Sequence, residues 1–251
     1  MPRSWRLVDS GLVMPAESAA LDEAILEAHI AGEVPSTLHF YVRSQPTISV
    51  GYFQKVSESI DAAEAERRGI AIVRRKSGGS SIYTDPGQLI YGLIVHEREL
   101  PAGRSDSFRA VCSALAAAIS TFGVDARYRP MNDIEVGARK VSGNAQLRRK
   151  GSVLQHGTLI VDTDLEAMDA VLRIDRSKSS PVSRPSERVA RLSSLLAKVP
   201  SIEEVKQSVM MELSRSFDVE FERGTLTESE SAIVRRLVGQ YYSRKEWNLK
   251  F

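Results

Sequence analysis

The sequence is poor in the groups that make covalent or metal chemistry easy to recognise. It has one cysteine, Cys112, and four histidines among 251 residues. A single thiol excludes an intramolecular disulfide and a thiol-rich metal cluster, and it fits a reducing cytosol. No stretch approaches the roughly 20 apolar residues of a membrane span. The N-terminal MPRSWRLVDSGLVMPAESAA has no continuous apolar core of signal-peptide kind. An excess of one charge is missing too: 34 Lys+Arg against 32 Asp+Glu leave +2, which argues against a dedicated nucleic-acid or membrane partner. Internal repeats are absent. The remaining composition, 42% hydrophobic and 26% charged, suffices to bury a full core without staples. These features point to a cytoplasmic protein of one large domain, or one domain with a small appendage.

Helix and strand signals alternate. Leu21, Ile25, Leu26 and Ile30 recur at helical spacing in 16–31. LHFYV (38–42) and ISVGYF (48–53) read as strands with Gln45-Pro46 as the turn between them. SIDAAEAERRGI reads as a helix stopped by Gly69, and IVRR as a short strand. IYTDPGQLIYGLIV reads as a strand pair broken at Asp85-Pro86-Gly87. A second helix covers 105–122, with Ser105 or Asp106 as N-cap and Cys112 as a small buried hydrophobe inside it. Several strands follow through 125–161, then the helix DLEAMDAVL. SKSSPVSRPSER reads as a long loop, and two helices (201–216 and 227–241) flank the strand DVEFE. The pattern predicts an α+β fold with mixed β-sheets flanked by helices.

Three segments carry candidate chemistry. Arg74-Arg75-Lys76 precede Ser77-Gly78-Gly79-Ser80-Ser81. Glycines let backbone N–H groups approach an anion, and arginines can hold a carboxylate or phosphate in bidentate fashion. A flexible hairpin with solvated charges accounts for the same residues. The spacing is neither a Walker loop nor a dinucleotide fingerprint. In the second segment Asn132-Asp133 open a strand and Lys140 begins the next, beside Ser142 and Gly143. Asn and Asp can organise Mg2+ or nucleotide hydroxyls, and a lysine on a rigid strand can place one positive charge at a reacting centre. An ordinary β-hairpin is the alternative. In the third, Gln155-His156-Gly157-Thr158 interrupt an apolar strand, and the glycine there marks a close approach of ligand or backbone. A lone histidine in such a place can also be purely structural.

In order and spacing, RRKSGG, MNDIEVGARKVSGNAQ and QHGTLIVDTDL resemble the lipoate–protein ligase family of the biotin/lipoate ligase superfamily. ESAALDEAIL, SVGYFQ, RPSERVARL and SRKEWN extend the resemblance over nearly the whole chain. It implies the biotin/lipoate ligase (class II synthetase-like) fold, and activation of lipoate by ATP followed by lipoyl transfer to a lysine of a lipoyl-domain acceptor protein. It implies Lys140 as the catalytic lysine. Arg75, Ser77, Gly78, Gly79, Ser80 and Ser81 flank the acyl-adenylate in this reading. Asn132 and Asp133 hold the adenylate, Asp133 with its Mg2+. Ser142, Gly143, His156, Gly157 and Thr158 line the same pocket.

The sequence departs from the family pattern in three places. Ser80 replaces a third loop glycine, which would be strained if that position needs positive φ. Thr84-Asp85 replaces His-Asp, and Gln88 replaces Asn. Residues 1–251 are expected to form a single catalytic domain, 1–175 carrying the main sheet and active site and 176–251 a loop and a small α/β portion. The accessory domain of other members is expected to be absent, which implies a separate accessory ligase subunit. The closest rival is a lipoyl/octanoyl transferase of the same superfamily, which uses a cysteine just before the strand starting at Asp133. The stretch Tyr128–Asn132 has none. A biotin ligase and a non-catalytic lipoate- or acceptor-binding module are further alternatives. Arg148, Arg149 and Lys150 could steer an acidic acceptor.

Overall fold

The computed structural model describes residues 3–174 and 183–251. Strand β1 (Arg3–Val13) is followed by helix α1 (Pro15–Ile30), strands β2 (Thr37–Arg43) and β3 (Thr47–Val50), and short helices α2 (Val56–Ser59) and α3 (Ala62–Arg67). Strands β4 (Ala71–Arg74), β5 (Ile82–Thr84) and β6 (Gln88–His96) come next, then helix α4 (Arg104–Ser120). Four strands follow: β7 (Ala126–Arg129), β8 (Asp133–Val136), β9 (Arg139–Arg149) and β10 (Ser152–Ile160). The chain continues through α5 (Leu165–Val171), α6 (Ile202–Phe217), β11 (Val219–Gly224), α7 (Glu228–Leu237) and α8 (Lys245–Asn248).

The strands form two sheets. The larger is eight-stranded, in the order β11-β1-β2-β6-β10-β9-β8-β7, and the smaller is three-stranded, β4-β3-β5. Pairing is parallel for β11-β1-β2 and antiparallel from β2 onward. The mixed α+β reading therefore holds. The turns at Gln45-Pro46 and Asp85-Pro86-Gly87 are not hairpin turns: each carries the chain from one sheet to the other, because β3 and β5 pair with each other. The N-cap of α4 is Gly103, at φ 85°, rather than Ser105 or Asp106. Residues 175–182, which include the expected 175/176 division and the first half of the Ser/Pro-rich loop, lie outside the described residues. The C-terminal portion joins the main sheet through β11, whose register on β1 runs from Arg3↔Val219 to Val8↔Gly224.

Alternation along the strands separates two faces. Leu89, Tyr91, Leu93 and Val95 of β6 join α4 and α6 in the main apolar core, with Phe40, Val141 and Leu159. Ile90 and Ile94 face the other way and pack near Leu21, Ile25 and Leu26 of α1. The small sheet has its own core, in which Ile48, Val50 and Tyr83 meet Met168 and Val171 of α5. Ala167, Met168 and Val171 are the buried positions of α5, at helical spacing, after Asp164 caps its N-terminus.

Gly51 follows β3 where the small sheet meets the glycine loop. A Cβ there would lie 1.9 Å from the carbonyl oxygen of Gly79, a backbone atom that cannot swing aside. Gly51→Ala is expected to lower stability by about 1–3 kcal/mol through overpacking, measured by urea denaturation; unchanged stability would show that the loop relaxes freely.

Candidate active site

The face of the main sheet opposite the α4/α6 core carries the candidate chemistry. Residues directly paired across strands share a face. One row runs His39–Gly92–His156–Ala145, and the next runs Tyr41–Ile90–Thr158–Gly143–Asp133. Two positions in these rows are glycines, and each admits a charged side chain from elsewhere. A Cβ on Gly92 would lie 2.4 Å from Asp22 Oδ1, and one on Gly143 would lie 2.3 Å from both Cε and Nζ of Lys140. Lys140 folds back over its own strand because a register shift between Ile134 and Glu135 interrupts the β8–β9 pairing there. Its Nζ lies 2.7 Å from Asp133 Oδ1. The two side chains remain 29% and 26% exposed, so the pair faces open space rather than the core. The geometry is that of an ion pair, with Asp133 Oδ1 taken up by the ammonium.

Asp22, on α1, anchors a buried network. Its Oδ1 accepts from His39 Nδ1 (2.9 Å) and its Oδ2 from His156 Nδ1 (3.2 Å). Burial raises the Asp22 pKa, but the hydrogen bonds from His156 and His39 outweigh it and hold the carboxyl well below the usual carboxylate range. An ionised carboxylate only accepts, so both Nδ1 atoms carry protons. His156 Nε2 meets Ser77 Oγ at 2.8 Å, and His39 Nε2 meets Ser10 Oγ at 2.9 Å. The Ser77 link ties the glycine loop of the small sheet to the large sheet.

The structure distributes the other expected site residues unevenly. Gly79 has φ 96°, the left-handed region that favours glycine; Ser80 is outside that region, so replacing glycine there costs no backbone strain. Ser81 Oγ donates to Ser59 Oγ (3.1 Å). Arg75 spends its donors on backbone carbonyls of β3 and of the loop. Its Nη1 reaches the Ser49 carbonyl (2.7 Å), and its Nη2 reaches the carbonyls of Gly78 (2.9 Å) and Ser80 (2.8 Å). Burial, reinforced by Arg43, lowers its pKa to about 10, so it stays charged near neutrality. Asn132 is a cross-strand staple: its Nδ2 donates to the Asn144 carbonyl (2.5 Å), and Asn144 Nδ2 donates back to the Asn132 carbonyl (2.9 Å).

Gly157 and Ser142 lie on the opposite face from His156. A Cβ on Gly157 would lie 2.3 Å from Asn144 Oδ1, and Ser142 Oγ accepts from Asn144 Nδ2 (3.3 Å). Both therefore meet Asn144 on the core side of the sheet. Thr158 does share the face of Asp133 and Gly143. The departures at 84 and 88 are absorbed in structure: Thr84 accepts from Arg43 Nη1 (2.8 Å), and Gln88 Nε2 donates to Thr163 Oγ1 (2.9 Å).

Beside the Ser77 link a cleft of about 380 Å³ is lined by Glu23, Leu26, Tyr52, Lys76, Leu147 and Trp247, among others. Lys76 and Glu23 pair at 2.6 Å along it. Asp22 and Glu23 were not singled out from sequence; the helix ESAALDEAIL was noted for its apolar spacing, and its buried acids carry no local mark. Cys112 lies on α4 in the main core, across the sheet from Lys140. Burial pushes its thiol up to about 12, against a weaker opposing hydrogen bond from Gln155.

A lysine on a sheet face, with a glycine-rich loop tied to a histidine of the same face, is set in a fold that solved lipoate ligases share. The chain is a member of the lipoyl protein ligase A/B catalytic domain family, whose sequence model matches residues 14–214. The octanoyltransferase LipM of Geobacillus kaustophilus is 32% identical over 98% of each chain. Lipoate-protein ligase A subunit 1 of Thermoplasma acidophilum is 30% identical, over 92% of this chain and 91% of the relative. Among solved structures, the bi-partite lipoate protein ligase of Thermoplasma acidophilum superposes with TM-score 0.84 at 29% identity, covering 98% of this chain and 96% of that one. A lipoate-protein ligase A bound with ATP gives TM-score 0.85 at 29% identity, with 99% of each chain covered. The protein is thus an enzyme of the lipoate ligase/transferase superfamily. Among the described residues no helix is long and apolar enough to cross a membrane.

The Asp22 network has a pH signature. The folded pKa lies below the ordinary 3.8, so its stabilisation is full above about pH 4 and is lost as pH falls through the depressed folded value. Asp22→Asn is expected to cost about 1–3 kcal/mol at pH 7, with a gap from the unsubstituted protein that narrows below about pH 4. Denaturant melts across that range check it; a gap independent of pH would contradict the assignment.

Proposed function

We propose that this chain activates lipoate with ATP and transfers the lipoyl group to a lysine of a lipoyl-domain acceptor protein. The carrying observation is Lys140, an ammonium held over Gly143 by Asp133 on the face shared with His156, while the cysteine lies across the sheet. In the first step a lipoate carboxylate oxygen attacks the α-phosphorus, the new P–O bond forms, and pyrophosphate leaves. In the second the acceptor amine attacks the acyl carbonyl and AMP leaves with the bridging oxygen. Both steps concentrate negative charge on oxygens, and a preorganised ammonium stabilises it. Gly78 and Gly79 would present backbone N–H groups to the adenylate, Arg75 holding their loop in shape. The cleft beside Ser77, with Leu26, Leu147, Tyr52 and Trp247 on its walls, would take the acyl chain.

Mg2+ would enter with the nucleotide. Among the described residues no three His, Cys, Asp or Glu groups gather to hold a metal ion, and Mg2+ commonly binds through one or two carboxylates plus substrate phosphates. Asp133, about a quarter exposed beside Lys140, is the carboxylate at hand; a bound ion would supply charge neutralisation for the departing pyrophosphate. A separate accessory subunit is part of the proposal, supported by the likeness to a chain named as subunit 1 and to a ligase described as bi-partite.

A second reading, nucleotide-independent octanoyl transfer, is favoured by the names of the relatives at about 30% identity. It needs a thiolate nucleophile near the acyl carbonyl. Cys112 is fully buried and its thiol stays protonated near neutrality.

Incubation with lipoate, MgATP and a lipoyl domain, with and without a candidate accessory subunit, followed by intact mass, tests the proposal. ATP-dependent addition of a lipoyl group to the acceptor is expected; ATP-independent transfer of an octanoyl group would support the second reading. Lys140→Ala is expected to slow modification by about 10²–10³-fold, by analogy with loss of one preorganised charge-stabilising donor. Undiminished rate in that variant would remove Lys140 from the chemistry. Cys112→Ser is expected to keep the rate, and native Cys112 to resist iodoacetamide at pH 8; loss of activity in Cys112→Ser with the fold retained would contradict the ligase reading.

A further inference from the structure

A hydroxyl, an imidazole and a carboxylate meet in series beside the glycine loop. Ser77 Oγ lies 2.8 Å from His156 Nε2, and His156 Nδ1 donates to Asp22 Oδ2 at 3.2 Å. These distances are within reach of a nucleophile on its base, and of a base on the group that orients it. The residues come from three places in the fold: Asp22 from α1, Ser77 from the loop after β4 and His156 from β10. No short motif announces such a set, which is recognised by geometry and roles.

Each group has the chemistry its place requires. Asp22 is buried, and hydrogen bonds from the two histidines hold it ionised. His39 Nδ1 occupies Oδ1 at 2.9 Å, which leaves Oδ2 to His156. A neutral imidazole with its proton on Nδ1 carries the free lone pair on Nε2, the atom that meets Ser77. The ring can take the hydroxyl proton, and the carboxylate stabilises the imidazolium that forms. Gly78 and Gly79 follow Ser77 directly, and no backbone carbonyl among the described residues accepts from their N–H groups. Backbone donors next to a nucleophile can receive the oxyanion of a tetrahedral intermediate.

The cleft adjoins this set. The His156 side chain is 18% exposed and Ser77 5%. Lys76, the chain neighbour of Ser77, lines the cleft, and so does Tyr52, whose N–H donates to the Ser77 carbonyl at 3.0 Å. Leu147, another wall residue, is two positions from Ala145, the partner of His156 across β9 and β10, so it shares the face of the ring.

We propose that Ser77, His156 and Asp22 form a serine acyl-transfer site that accepts acyl groups from thioesters or activated esters without nucleotide. The inference stands on these three side chains and does not rest on the ATP-dependent reading. Ser77 Oγ attacks the acyl carbonyl while its proton passes to His156 Nε2. The C–O bond forms, the bond to the leaving thiol or alcohol breaks, and that group departs with the proton from His156. Water or a primary amine then attacks the serine ester and gives a proton to His156, which returns it to Ser77 Oγ as the ester bond breaks. Ser77 and His156 are the catalytic residues, and Asp22 is a positioning residue.

The full chain, without ATP, is treated with a fluorophosphonate and, separately, with p-nitrophenyl octanoate. The fluorophosphonate is expected to form a P–O bond to Ser77 with loss of fluoride, located by peptide mapping, and the ester to release p-nitrophenol. Ser77→Ala is expected to abolish both reactions. His156→Gln is expected to slow them by about 10²–10⁴-fold, the usual contribution of a general base. Asp22→Asn is expected to slow them too, and the ¹⁵N shifts of His156 are expected to report a proton on Nδ1 that this variant displaces, a change that loss of stability alone would not produce. Cys112→Ser is expected to react as the unsubstituted protein does. Absence of label from Ser77 in the unsubstituted protein, or rates unchanged in Ser77→Ala or His156→Gln, would overturn the inference. Either result would leave the ATP-dependent reading standing, since that reading is tested by acceptor modification with MgATP.

Discussion

An ammonium group can lie flat on a β-sheet only where the strand beneath it has no side chain. Gly143 provides that gap for Lys140, and Gly92 provides the equivalent gap for Asp22 two strands away. The rest of the site follows from these two clearings. Asp133 holds the ammonium over the first. Over the second, Asp22 orients two histidine rings, and through His156 and Ser77 it joins the glycine loop to the large sheet.

The sheet also divides the labour between its faces. One face is filled by apolar side chains of β6, α4 and α6, and it hides Cys112 in a setting that keeps the thiol protonated. The other carries the titratable groups and the cleft. Thiol chemistry and ammonium-assisted chemistry would thus need opposite faces of one sheet, and the open face holds the ammonium. That separation favours nucleotide-dependent acyl activation despite relatives named for octanoyl transfer.

The alternation of helices and strands and the α+β class were legible from sequence, because periodicity and turn residues are local signals. Lys140 was singled out only through the resemblance of its segment to the ligase family. Sheet partnership was not legible. Gln45-Pro46 and Asp85-Pro86-Gly87 mark turns correctly, but whether a turn closes a hairpin depends on where the next strand finds its edge, and β3 found β5. Partners of charged groups were equally hidden. Arg75 reads as a ligand clamp by type, yet its guanidinium is occupied by backbone carbonyls of β3 and the loop. Asp22 has no mark in the apolar spacing of its helix, yet it is buried because Gly92 and two histidines receive it. The faces of Ser142 and Gly157 depend on strand register, which a motif does not encode.

The central claim is that the acyl carboxylate attacks phosphorus. It is tested most directly by following oxygen: lipoate labelled with ¹⁸O in both carboxylate positions is used to modify a lipoyl domain in the presence of MgATP, and the AMP released is weighed. Attack on the α-phosphorus predicts AMP carrying one ¹⁸O atom for each acceptor modified. Modified acceptor with unlabelled AMP, or modification with no AMP formed, would contradict the account.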